Sequence, residues 1–164
     1  MSNNVPLLPT YRDTVRVEWV DYNGHLRDAF YMLIFSFATD ALIDQIGLPD
    51  AVRRARGRSI YTLEAHINYL HEIKEGAQVH VETRLLAHDT KRLHLYLEMF
   101  ADGGAEPVAA SEQMLLHVDT SGPRSVAFDD DVAGYVHALA TAHAALPPPN
   151  YAGRAIGLPA KVRD

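Results

Sequence analysis

The chain has 164 residues, 48% of them hydrophobic and 22% charged, with a formal net charge of −6 and no cysteine. That length suits one domain with a sizeable core, and an acidic balance without a basic stripe argues against a nucleic-acid partner. Without cysteine there is no disulfide, thiolate metal site or thiol nucleophile, which is compatible with a reducing cytoplasm, the expected location.

Met1–Thr10 holds prolines and asparagines but neither a basic nor an apolar leader region, so no signal peptide is expected. Residues 11–20 alternate loosely around Val15, Val17 and Trp19 and predict a strand. The run Asp21-Tyr22-Asn23-Gly24-His25-Leu26 follows as a turn. Asp28 is the expected N-cap of a helix reaching about Ile46, where Gly47 and Pro49 stop it. Its apolar residues, among them Phe30, Leu33, Phe35, Ala38 and Leu42, cover more than one stripe, so the helix should be buried on most sides. Ser36, Thr39, Asp40, Asp44 and Gln45 interrupt the run, so it predicts no membrane span and no membrane partner.

Residues 50–57 read as a short helix or a basic loop. From 59 to 71 the period becomes two, with Tyr61, Leu63, Ala65, Ile67 and Tyr69 on one face and Thr62, Glu64, His66 and Asn68 on the other. Glu75-Gly76, Asp89-Thr90 and Asp102-Gly103-Gly104 mark turns between further strands over 77–88, 91–101 and 107–119. Leu93, Leu95, Leu97 and Met99 share one side of the third strand, and Met114, Leu116 and Val118 one side of the last. An amphipathic helix over 129–145 opens on Asp129-Asp130-Asp131 and ends at Pro147-Pro148-Pro149, and an extended arm closes the chain. The order predicts an α+β fold: an antiparallel sheet wrapped around one long helix, with a core over about 10–120 and the C-terminal helix and arm over 129–164. A helix apolar on most sides would leave surface bare in a lone subunit, so self-association is expected.

The D-x-N-G-H run carries the chemistry. A carboxylate, an amide and an imidazole alternate just before a helix N-terminus, which supplies a base, its hydrogen-bond partners and a positive dipole end. Asn-Gly is equally at home in a plain turn. Asp21 reads as a general base toward water or as a direct nucleophile, Asn23 and His25 as groups that orient it, and amides at the start of the 28–46 helix as an oxyanion site.

Together these features resemble the hotdog fold, in the 4-hydroxybenzoyl-CoA thioesterase-like branch of acyl-CoA thioesterases, over roughly residues 10–120. The resemblance places the catalytic aspartate on Asp21 within Asp21–Gly24. The wider D-x-N-x-H pattern is similar to plant-type acyl-ACP thioesterases, mapping onto Asp21, Asn23 and His25, with a strand glutamate at Glu64; Arg27 and Asp28 stand where that family has asparagines, while Tyr31 remains. Four blocks, residues 19–25, 61–66, 91–95 and 112–119, look like the betainyl-CoA thioesterases of bacterial carnitine degradation, some of them fused to L-carnitine dehydrogenase. The resemblance implies betainyl-CoA hydrolysis to glycine betaine and CoA, an acyl-CoA partner, a homodimer or homotetramer with sites between subunits, and no cofactor.

A trimethylammonium acyl group would call for aromatic faces. Trp19, Tyr22, Phe30 and Tyr61 are the candidates beside the motif, with Gly24 letting the backbone approach, and core packing is their alternative use. Lys91 and Arg92 are the favoured partners for the CoA phosphates, against a solvated charged face. The nine histidines do not predict a metal: His66 and His71 fall on opposite faces of a strand, and no helical ligand pair exists. Other acyl-CoA thioesterases, a hotdog hydratase or dehydratase, and a non-catalytic acyl-CoA binder are the alternatives.

Overall fold

The computed structural model describes residues 11–160; Met1–Thr10, with the leader expectation, and the last four residues of the arm lie outside them. Burial of one helix organises the rest. In α1 (Asp28–Gln45), Ile34 and Phe35 are fully buried, Tyr31, Ala38, Thr39, Leu42 and Ile43 nearly so, and Phe30, Leu33 and Phe37 pack partly buried against the same core. Asp28 is not the cap but the first helical residue. The N–H of Arg27 is held by the Trp19 carbonyl at 3.0 Å, so the chain stays extended through Arg27, and Asp28 Oδ1 accepts from the N–H of Ala29 instead. At the other end Gly47, with φ +94°, turns the chain into α2 (Asp50–Arg56), the helical one of the two expected forms.

An antiparallel sheet curls over α1 in the order β1-β3-β4-β5-β2: β1 (Tyr11–Thr14), β2 (Arg58–Tyr69), β3 (Gln78–His88), β4 (Arg92–Ala101) and β5 (Ala109–Asp119), with a two-residue β6 (Arg124–Ser125) beside β5. The strand expected over 11–20 stops at Thr14. Val17–Trp19 is a single 3-10 turn that buries Trp19 and leaves Val17 exposed. Glu75-Gly76 turns as expected, but the strands it separates, β2 and β3, lie apart in the sheet. The chain between them pairs with the Asp21 turn: Leu26 donates to the Ile73 carbonyl, Glu75 to that of Gly24, and His25 bridges Lys74.

β2 breaks the expected alternation. Its register against β5 shifts at Leu63, so Ile60 and Ile67, of opposite parity, both pack on the core, while Tyr61, Leu63 and Ala65 are exposed. In β4 the expected face holds: Leu93, Leu95, Leu97 and Met99 are all buried in the core. In β5, Met114 and Leu116 share a face turned away from α1. The inner face carries Ala109, Ser111, Gln113 and Leu115, with Gln113 Nε2 donating to Ser111 Oγ and the Thr39 hydroxyl of α1 lying 3.2 Å from Gln113 Oε1. Paired in this way, buried polar groups avoid the cost of lost water.

α3 (Asp130–His143) closes the far side through Val132 and Val136. Its last residue sits at a bulge in β3, where the register shifts between Leu85 and Ala87; the N–H of Leu85 donates to His143 Nδ1 at 3.0 Å. Beyond α3 the arm crosses the outer face of the sheet. The Arg84 guanidinium holds the carbonyls of Leu146 and Pro147, and the N–H of Gly153 donates to Glu112 Oε2 at 2.6 Å. No single helix among the described residues is long and apolar enough to cross a membrane.

Burial, and secondly the charge of Arg84, lowers the pKa of His143 below its ordinary value of 6.5. The neutral ring therefore contributes stability above that value, and the contribution fades as pH falls below it, when the unfolded chain binds the proton and the folded one resists it. His143→Ala is expected to cost about 1–3 kcal/mol near pH 7.5, the scale for a buried N–H left unpaired, with a smaller wild-type advantage at pH 5. Urea unfolding of both proteins at the two pH values checks this; an equal gap at both would remove the neutral-acceptor assignment.

Candidate active site at the Asp21 loop

Asp21–His25 is a closed loop. Val20 bridges Leu26 at its neck, the N–H of Asp21 donates to the His25 carbonyl, and the N–H of Gly24 to the Asp21 carbonyl, both at 2.9 Å. Gly24 has φ +77°, a region that strains residues bearing a Cβ, which is the local reason for Asn-Gly here. The carboxylate of Asp21 folds back over this loop: Oδ1 accepts from the N–H of Asn23 at 2.8 Å and of His25 at 3.1 Å. No described residue donates to Oδ2. The main-chain N–H of His25 above all holds the carboxyl below its ordinary value; burial, the next largest influence, pushes it up, and the N–H of Asn23 with the nearby charges of His25 and Arg27 outweighs that rise. Asn23 and His25 thus orient Asp21 through their backbone. The His25 ring turns away, with Nε2 3.5 Å from Glu72 Oε2.

The other expected residues divide between two places. Trp19 is 4% exposed, stacked on Phe30 at 5.8 Å with the Arg16 guanidinium 4.5 Å over its ring, so core packing claims it; Tyr22 stands free in solvent at 94% exposure. Both flank the loop. Glu64 lies five residues from the loop end of β2, roughly 16 Å along the strand from Tyr69. It lines a cleft with His66, His94, Glu112 and Arg154 that shares no residue with the Asp21 loop. Tyr61 and Arg92 share a rung through Leu116, further still from Tyr69. One protomer therefore does not bring Tyr61, Glu64, Lys91 and Arg92 to Asp21. Arg92 is also spent on Asp89, with Nε and Nη2 both 2.6 Å from Oδ2. Asp89 falls to about 2, held chiefly by the N–H of Lys91 and then by the Arg92 side chain. Among the described residues Lys91 Nζ meets only the Ser125 hydroxyl, at 3.1 Å. Of the expected oxyanion amides, those of Ala29 and Phe30 are bonded to Asp28 Oδ1 and the Arg27 carbonyl.

Next to the loop is a cavity of about 240 Å³, lined by Leu26, Asp28, Tyr31, Tyr69, His71 and Glu72 among others. The sequence reading missed Asp28, Tyr31, Tyr69 and Glu72 as site residues. Asp28 and Tyr31 follow His25 directly along the chain, whereas Tyr69 and Glu72 reach it from the end of β2 and the segment after it, through the pairing of 73–75 with 24–26, which no local pattern announces. Among the described residues no group of three or more histidine, aspartate or glutamate side chains is placed to hold a metal ion.

A family model described as the thioesterase-like superfamily matches residues 15–136. Over 153 residues the chain is 58% identical to a betainyl-CoA thioesterase of Pseudomonas aeruginosa, covering 93% of this chain and 96% of that protein. It is 53% identical over 109 residues to an L-carnitine dehydrogenase/betainyl-CoA thioesterase of Agrobacterium fabrum, covering 66% of this chain and 22% of that longer protein. A Staphylococcus aureus protein solved in complex with CoA superposes with a TM-score of 0.86 at 29% identity, over 92% of this chain and 94% of that one.

In a carbon-detected NMR titration the Asp21 carboxyl is expected to titrate below about 3.9, the value of an unstructured aspartate. The Asn23 and His25 amide signals should move at the same midpoint. A midpoint above 3.9, or amides that ignore it, would break the loop geometry described.

Proposed function

From the premise that this chain belongs to the thioesterase-like superfamily and has its hotdog fold, we propose that it hydrolyses an acyl-CoA thioester, betainyl-CoA before others, releasing glycine betaine and CoA in the cytoplasm. The observation that carries the reading is the Asp21 carboxylate, fixed through Oδ1 by the loop and open at Oδ2, at the head of a buried helix. The full-length likeness to a betainyl-CoA thioesterase supplies the acyl group. Asp21 Oδ2 takes a proton from water as the water oxygen bonds to the thioester carbon. The C–S bond then breaks, the sulfur leaves with the electron pair, and the proton passes from Asp21 to the thiolate. The lowered pKa keeps Asp21 ionised through the neutral range. It also lowers its strength as a base, so positioning must supply much of the rate.

A second copy completes the site in this reading. β2 is an edge strand with Tyr61, Leu63 and Tyr69 between 45 and 55% exposed. Antiparallel pairing of two such edges would set the Tyr61, Lys91 and Arg92 end of one copy beside the Asp21 end of the other. That reunites residues one protomer keeps apart.

Thiol release from betainyl-, acetyl-, medium-chain and 4-hydroxybenzoyl-CoA tests the proposal, and a chain without cysteine adds no background to a thiol reagent. Wild type should prefer betainyl-CoA, and Asp21→Asn should lose at least roughly a hundredfold, the scale for a positioned base. The acid limb of kcat/KM should fall below about 4; a limb two or more units higher would give the base to another group. Silence on all four substrates would sink the reading. Sedimentation should give a dimer or a multiple of it, and Leu63→Lys, a charge on the exposed edge, should shift it toward monomer and lower activity together. A monomeric, active wild type would remove the second copy.

A further inference from the structure

We infer that the cavity beside His25 seats the quaternary ammonium group of the acyl chain, with the Tyr69 ring as its aromatic wall and Glu72 and Asp28 as its counter-charges. The inference rests on the proposed substrate and assigns the residues that would select it. A trimethylammonium carries a full positive charge yet can neither donate nor accept a hydrogen bond. Its recognition falls to aromatic faces and to carboxylates acting as charges.

The cavity has that composition. Tyr69 is 52% exposed, and its hydroxyl donates to the Asp28 carbonyl at 3.2 Å. Tyr31 stands perpendicular to it, ring centres 5.2 Å apart, with its own hydroxyl on the His71 carbonyl at 3.1 Å. Both hydroxyls are thus occupied and both rings are fixed. Glu72 has a side chain 78% exposed, and among the described residues no lysine or arginine lines the cavity.

Position agrees with composition. The ammonium nitrogen of a betainyl group is one methylene from the thioester carbon, so its seat must adjoin the base. The His25 ring meets Glu72 at 3.5 Å while the His25 N–H holds Asp21, which makes loop and cavity continuous. The aromatic cage expected around Trp19 is closed by comparison: its ring is stacked on Phe30 and already carries the Arg16 cation.

The test compares betainyl-CoA with 3,3-dimethylbutanoyl-CoA, in which a neutral tert-butyl group replaces the trimethylammonium at equal shape. The readout is the ratio of their kcat/KM values. In Tyr69→Leu this ratio should fall roughly three- to thirtyfold, the span of a cation–π contact. Tyr69→Phe, which keeps the ring, should hold it near the wild-type value. Glu72→Gln should lower the ratio as well. An equal loss on both substrates would instead make Glu72 a positioning group for His25, and an unchanged ratio in Tyr69→Leu and Glu72→Gln would overturn the inference. If wild type cleaves neither substrate, the proposed function fails separately. Calorimetric titration of glycine betaine then decides the cavity: binding to wild type that is lost in Tyr69→Leu upholds it, and no binding, or binding unchanged in that variant, overturns it.

Discussion

A helix whose polar side is only a narrow strip must be enclosed over the rest of its girth, and most of this molecule follows from enclosing one. With Ile34 and Phe35 sealed and Phe30, Leu33 and Phe37 around them, α1 accepts contact over much of its circumference. The sheet answers by curling, α3 covers a flank, and the loop before the helix is drawn down onto the core by Trp19 and Leu26, both buried. The Asp21 loop owes its rigidity to this: its neck is closed by Val20 and Leu26 and its side is paired with the chain leading into β3.

Local pattern told the truth wherever one neighbour decided the outcome. Leu93, Leu95, Leu97 and Met99 recur at every second position because that face of β4 meets the one core, and Gly47 ends α1 because only a positive φ turns the chain there. It misled where two distant segments met. Val15 to Trp19 alternate like a strand, yet the Trp19 carbonyl is needed by the N–H of Arg27, and a tight turn delivers it. In β2 the inserted Leu63 exchanges the faces halfway along, which a period of two cannot express. Ser111 and Gln113 look like surface residues until Thr39 is found opposite them inside the core.

The candidate site was legible in part for the same reason. Asp21, Asn23, Gly24 and His25 are contiguous, so their spacing foretold one another. That the backbone of Asn23 and His25 would do the holding was invisible, because side-chain identity says little about where an N–H points. Arg92 seemed free for a phosphate in sequence, whereas Asp89, three residues earlier, takes it in space. Arg56 and Arg58 are likewise matched with Asp119, Asp129 and Asp131, which leaves the charge-rich regions largely self-neutralised.

The two edges of the sheet are unequal. β2 offers twelve residues, while β1, as described, offers four. Strands tend to recruit further strands, and a sheet with two long open margins invites a fibre. Among the described residues only one margin is long, and a copy docked on it by its own β2 would use up the matching margin of both. Growth by that route would be self-limiting: the pairing that seats a second copy would also make it the last along that line.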